Sequence, residues 1–263
     1  MATAASAGLA VALAPGAASA QVIELGATKS PLIAPVCPST VSAANCTIVL
    51  TQVTGLETIR DGITYPTTVK KAGVIVAFTL GLSRLDADAA KAKSDVSFLD
   101  HAYGGTTQAA ITVLKPIGKK NLRRWQVTAE SPIYRLQPYL GTVTQFPLSA
   151  GLVAPGAPPL AAPLPVAKGD TIALTVPTWA PVLSFGLSTN KFAYRQSRRA
   201  NCKNPAGTEQ AQLTIAATTP YICDYTGTRV EYSATEVTTP VPPTTQIHAP
   251  DIPTAVKPSV KAQ

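Results

Sequence analysis

The sequence predicts an all-β protein, an antiparallel β-sandwich of jelly-roll-like form, and three observations carry that expectation. Apolar residues recur with a period of two in several short stretches, turn residues separate those stretches, and Val, Ile and Thr dominate them. Charged residues are only 14% of the 263, while 24 prolines and 17 glycines punctuate the rest. That balance argues against long helices and against a charged disordered chain. The length suits one large all-β domain or two small ones.

The first twenty residues run through the apolar stretch Gly8-Leu9-Ala10-Val11-Ala12-Leu13-Ala14 to Ala18-Ser19-Ala20, the small-residue end of a secretory signal. Cleavage there leaves Gln21 first. No Lys or Arg precedes the apolar stretch, so the true start is expected upstream of Met1. The stretch is too short to span a bilayer, and no other segment is a membrane candidate. The expected address is therefore extracellular, with residues 21–238 as the sandwich domain and 239–263 as a Pro/Thr-rich tail of disordered or polyproline character.

Four cysteines fit an oxidising compartment. They fall as two sequence-local pairs, Cys37 with Cys46 and Cys202 with Cys223, read as structural disulfides, with other connectivities open. Zinc is disfavoured, because no Cys-x-x-Cys spacing exists and the histidines, His101 and His248, lie far from the cysteines. Asn45-Cys46-Thr47 is formally a glycosylation acceptor, but cysteine is a poor middle residue.

Strand character begins at Thr47-Ile48-Val49-Leu50. The clearest alternation follows, with Val74, Val76, Phe78, Leu80 and Leu82 on one face and Ile75, Ala77, Thr79 and Gly81 on the other, a core strand. Residues 85–100 read as a long connection with one helical turn. Residues 110–116 and 124–130 flank Ile117-Gly118-Lys119-Lys120-Asn121 as a hairpin with a basic tip, and Trp125, Val127 and Ala129 share its buried face. Shorter strands are expected at 133–136 and 141–147. The Pro-rich insertion 154–165 reads as an extended exposed loop. After it, the turn Lys168-Gly169-Asp170 feeds a strand in which Ile172, Leu174 and Val176 alternate with Ala173 and Thr175. Pro177 and Pro181 then bracket Trp179, so the strand is expected to leave its sheet there. Gln212-Leu213-Thr214-Ile215 reads as a short strand and 228–237 as the closing one.

The blocks Lys71-Ala72-Gly73-Val74-Ile75-Val76-Ala77-Phe78, Ile111-Thr112-Val113-Leu114-Lys115-Pro116, Ala129-Glu130-Ser131-Pro132, Phe146-Pro147 and 164–174 resemble a recurring pattern in uncharacterised secreted β-sandwich modules of actinobacteria. The resemblance covers about half the chain. The sequence departs from the pattern at Phe78, where a tryptophan often stands, and in its Pro-rich insertion. The resemblance implies a fold and an extracellular address and carries over no functional residue.

No catalytic or cofactor motif is present. A Ser-His-Asp site would have to use His101, and no Gly-x-Ser-x-Gly elbow places a serine. Glu57, Glu130, Glu231 and Asp170 are carboxylates from which a glycosidase pair would be drawn. Asp86-Ala87-Asp88 hints at calcium, but Ser97 stands where an EF-hand needs its glutamate, and Lys91 and Lys93 oppose it. No cofactor and no metal are expected. The formal charge of +8 is the strongest functional hint, concentrated at 119–124 and 195–203. Outside a cell the matching anions are wall polymers, acidic polysaccharides and lipid head groups; nucleic acid is not expected, since no such motif accompanies the charge. Trp179, Tyr134, Tyr139 and Tyr194 are the candidates for a sugar-stacking platform, with Arg198 and Arg199 as basic contacts. The expectation is a secreted, non-enzymatic protein that binds a glycan or an anionic cell-envelope polymer. The alternative is a self-associating structural or matrix protein, and a glycan-directed hydrolase comes third.

Overall fold

A computed structural model of the chain describes residues 19–37, 46, 48–118, 123–148, 162–198, 202 and 211–240. Most of the expected signal, the hairpin tip 119–122, most of the Pro-rich insertion, Arg199, His248 and the tail lie outside these. The elements are β1 (Val22–Leu25), β2 (Leu50–Arg60), β3 (Ile63–Thr64), β4 (Gly73–Gly81), α1 (Ala89–Ala102), β5 (Gln108–Ile117), β6 (Arg124–Glu130), β7 (Tyr134–Arg135), β8 (Val143–Pro147), β9 (Leu164–Val166), β10 (Thr171–Ala180), β11 (Leu183–Ser184), β12 (Phe192–Gln196), β13 (Thr218–Pro220), β14 (Cys223–Thr226), β15 (Arg229–Val230) and β16 (Tyr232–Thr238).

These strands form an antiparallel, jelly-roll-like sandwich with unequal sheets. The smaller has the order β1-β16-β4-β8, with β9 also paired to β4; the larger runs β13-β6-β5-β10-β2-β12-β14, with β3 on β2 and β7 on β5. The core between them takes Ile75, Phe78, Leu80 and Ala234 from the smaller sheet and Val53, Ile111, Ile172, Leu174 and Val176 from the larger. Each of the larger of these side chains, once buried, contributes on the order of 1.5–3 kcal/mol.

The larger sheet is buried on its outer face as well. Ala173 alternates with the core-facing Ile172 and Leu174, yet it joins a second apolar cluster with Leu56, Leu114, Trp125, Val127 and Tyr221. Tyr221 meets Trp125 edge-on at 5.0 Å. Next to this cluster, Thr175 Oγ1 stands 2.7 Å from Thr54 Oγ1 and 2.6 Å from Thr112 Oγ1, and the Gln212 amide donates to Thr54 Oγ1. Segment 211–222 thus lies over the sheet, and the Cys202–Cys223 disulfide anchors its end. Cys37 and Cys46 are also bonded, so both sequence-local pairs form.

Several expectations need correction. In β4 the partner positions of Thr235 and Glu236 are Ala77 and Ile75, so Val76 is an extra residue that reverses the faces. Ile75 consequently joins Phe78 and Leu80 in the core, while Val74 and Val76 are only partly buried. The strand at Thr171 does not leave its sheet at the prolines. It continues to Ala180 because a bulge between Val176 and Trp179 absorbs Pro177, whose missing N–H has no ladder bond to make there. Leu164 and Pro165, assigned to the exposed insertion, form with Val166 an edge strand on β4. Gln212–Ile215 is not a strand; the pairing with β6 comes later, at Thr218–Pro220.

The connection expected at 85–100 with one helical turn is instead a helix of 14 residues, Ala89–Ala102, that runs past its expected end. Its start is set by Asp88, whose carboxylate accepts the Lys91 amide at 2.8 Å, an N-cap worth about 1 kcal/mol. Lys91 then pairs with Asp95 one turn on. None of its residues is buried, so no apolar stripe marks it in the sequence.

The N-terminal lead-in is held by more than its disulfide loop. Arg60 Nη1 donates to the Gly26 carbonyl at 2.6 Å, and Arg229 donates to the Pro31 and Ser30 carbonyls. Asp61 accepts from the Thr28 and Ser30 hydroxyls. Gly81 completes the seat, since a Cβ there would collide with the Ile33 carbonyl oxygen.

Candidate functional site: a basic groove at one end of the sandwich

The structure does not bring the expected platform together. Trp179 is fully buried, 0% exposed, and its indole N–H donates to Asp100 Oδ1 at 2.9 Å. It therefore presents no face for a sugar. Tyr194 is equally enclosed, stacked on Tyr225 and bonded through its hydroxyl to Gln196. Arg198 is 4% exposed, with Nε turned to Gln196 Oε1, so it is no surface cation. Arg199 lies outside the described residues. Tyr134 and Tyr139 pack edge-on around Phe146 at 5.5 and 5.1 Å, and only Tyr139 is exposed. Those two stand before β8, which meets the C-terminal part of β4, and Tyr194 pairs with Glu57 mid-sheet.

The carboxylates considered for hydrolysis are occupied by the fold. Glu57 Oε1 accepts the Val230 amide and Oε2 lies 3.4 Å from Arg60 Nε; Glu231 is bridged by Arg229 at 3.2 Å and by the Ser184 hydroxyl at 2.7 Å. Both are wholly buried. Burial pushes Glu57 up to about 7 against the pull of Arg60, and pushes Glu231 up as well. Asp170 turns back to accept the Ala167 amide and closes its own turn. Only Glu130 is partly exposed, and burial raises it to about 7. The calcium hint resolves into capping: Asp86 accepts the Asp88 amide and pairs with Lys91 at 2.6 Å. Among the described residues no cluster of His, Cys, Asp and Glu is arranged to hold a metal ion.

What the topology does assemble is cationic. Thr171 of β10 pairs with Leu114 of β5 and bridges Thr68, Gly73 of β4 pairs with Val166 of β9, and Ile117 pairs with Arg124 across the hairpin. The turn Ala167–Asp170 joins β9 of one sheet to β10 of the other, so all these strand ends meet at one end of the sandwich. They carry Lys70, Lys71, Lys115, Arg123, Arg124 and Lys168, all exposed. Lys115, Pro116, Thr128, Pro165, Lys168 and Asp170 are among the residues lining an open groove of about 540 Å³ there. Among the described residues lining it, Asp170 is the one carboxylate and is buried, so their exposed charges are of one sign.

Lys168 stands in a turn and Lys115 near the end of a strand in the sequence pattern, but that these places adjoin depends on which strands pair.

No protein-family model matches the chain, nor does any curated protein or solved structure. The fold and site define an antiparallel β-sandwich with a basic end. Among the described residues no helix is long and apolar enough to cross a membrane.

Proposed function

We propose that the protein is a secreted, non-enzymatic β-sandwich that binds an anionic polymer of the cell envelope through its basic end. The observation that carries this reading is the groove lined by Lys115 and Lys168, with no exposed carboxylate among the described residues of its lining, at the end of the sandwich whose strand ends also carry the exposed Lys70, Lys71, Arg123 and Arg124. A low-dielectric wall lined by one sign of charge concentrates polyanions, and lysines act there as point charges that tolerate a flexible, repeating ligand. The signal-like start and two disulfides support the extracellular address. An aromatic sugar platform is given up, because Trp179 is enclosed.

The test is retention of the protein on purified anionic wall polymers and on neutral polysaccharides, at low and high salt. Retention on the anionic polymers that falls steeply with salt is expected. The Lys115→Glu/Lys168→Glu variant should bind about tenfold more weakly at low salt. Retention that survives high salt and yields to a free neutral sugar would sink the proposal, as would an unchanged double variant.

A further inference from the structure

The first residue that an Ala20 cleavage would expose sits in a defined seat. The Gln21 backbone N–H donates to Thr238 Oγ1 at 2.9 Å, its carbonyl accepts the Thr238 amide at 2.9 Å, and its side-chain Oε1 accepts from Lys71 Nζ at 2.7 Å. The residue is exposed, and β1 begins immediately after it, paired to β16 from Val22 onward.

We propose that Gln21 is a modification site, converted after cleavage to a pyroglutamyl terminus, with Lys71 as the positioning residue for ring closure. This rests on the secreted reading above. In the reaction the lone pair of the freed α-nitrogen attacks Cδ of the same residue's carboxamide and a new C–N bond forms. The Cδ–Nε2 bond then breaks. One proton passes from the α-nitrogen to Nε2, through water, and ammonia leaves. No oxidant, reductant or cofactor enters the balance.

The seat favours this change in three ways. Lys71 Nζ donates to the carbonyl oxygen that gains charge as the amine attacks, which makes Cδ more electrophilic. Lys71 also stands one side chain from the new terminus, where its positive charge disfavours an ammonium and so raises the share of neutral, nucleophilic amine; an unperturbed α-amino group titrates at about 8. Finally, the lactam keeps one N–H and one ring carbonyl, the groups that Thr238 Oγ1 and Lys71 already engage. Closing the ring needs rotation only about the Gln21 side chain, so β1 stays paired, and ammonia departs directly to solvent.

The test is mass spectrometry of the N-terminal peptide of the secreted protein, sampled over time, beside a Lys71→Met variant and a free peptide of the sequence Gln21-Val22-Ile23-Glu24-Leu25. The expected peptide starts at Gln21, is lighter by one ammonia, and gives no sequence in stepwise N-terminal degradation. The protein should cyclise faster than the free peptide, and Lys71→Met should slow it by about tenfold, the size of one charge-assisted hydrogen bond. A terminus at Gln21 with an intact amine would overturn the modification and leave the secreted reading standing. Retention of residues 1–20, or a different start, would overturn both. Equal rates for parent, variant and peptide would overturn the assignment to this seat.

Discussion

Asp100 Oδ1 accepts the indole N–H of Trp179, tying the exposed helix α1 to a strand of the larger sheet buried at every position but Pro177. The Thr107 hydroxyl donates to the Trp179 carbonyl, and the Thr178 hydroxyl to the Thr106 carbonyl, so the chain after α1 is stitched down beside it. Asp100→Ala leaves a buried donor without an acceptor and should cost about 1–3 kcal/mol. Thermal unfolding will show the loss, and amide exchange should quicken across Ala89–Ala102. Asp100→Asn, which keeps an acceptor, should lose less.

Stability should fall as the solution is made neutral. Burial raises Glu57 from 4.5 to about 7 despite Arg60, and raises Glu130 to about 7. A carboxyl that holds its proton more tightly when folded stabilises the protein fully below its unfolded value, and that contribution is lost as pH rises through the folded one. The urea midpoint should therefore decline between about pH 4.5 and 7. Glu130→Gln should flatten part of that decline. A midpoint that rises over this window would refute the assignment.

Glu236 lies in a row with Ile23, Ile75 and Leu164 across four strands, wholly buried, and neither of its oxygens has a hydrogen-bond partner among the described residues. Burial raises its pKa. Glu236→Leu should stabilise the protein at neutral pH by about 1–3 kcal/mol, since it removes a desolvated carboxyl from an apolar row. Denaturant titration against the parent checks the sign.

The Cys202–Cys223 bond spans 21 residues and secures the covering over Trp125. A double serine variant should lose about 3 kcal/mol. Because Tyr221 covers the indole, the variant should also show a red-shifted Trp125 emission before global unfolding, with Trp179 unchanged.

How much of this was legible depended on range. The hairpin of β5 and β6 could be read directly because alternation is local, and Trp125, Val127 and Ala129 are all buried as expected, although Trp125 and Val127 join the outer cluster and Ala129 the core between the sheets. The bulges at Val76 and Pro177 could not, since an extra residue is defined only against a partner strand. Helix α1 escaped because it buries nothing, and the second cluster escaped because Ala173 and Leu114 look like the polar-side members of half-buried strands. The same limit hid the basic end: Lys70, Lys115 and Lys168 are far apart in the chain, and only the pairings of Thr171 bring them together.

The antiparallel pairing of β1 with β16 sets how the domain bears mechanical load. Gln21 and Thr238 are bonded neighbours, so a pull applied through both ends of the domain acts across the ladder and opens it one bond at a time from Val22–Val237 inward. The domain is built to peel rather than to resist shear. Under tension its lifetime is set by that first rupture, however deep the core behind it.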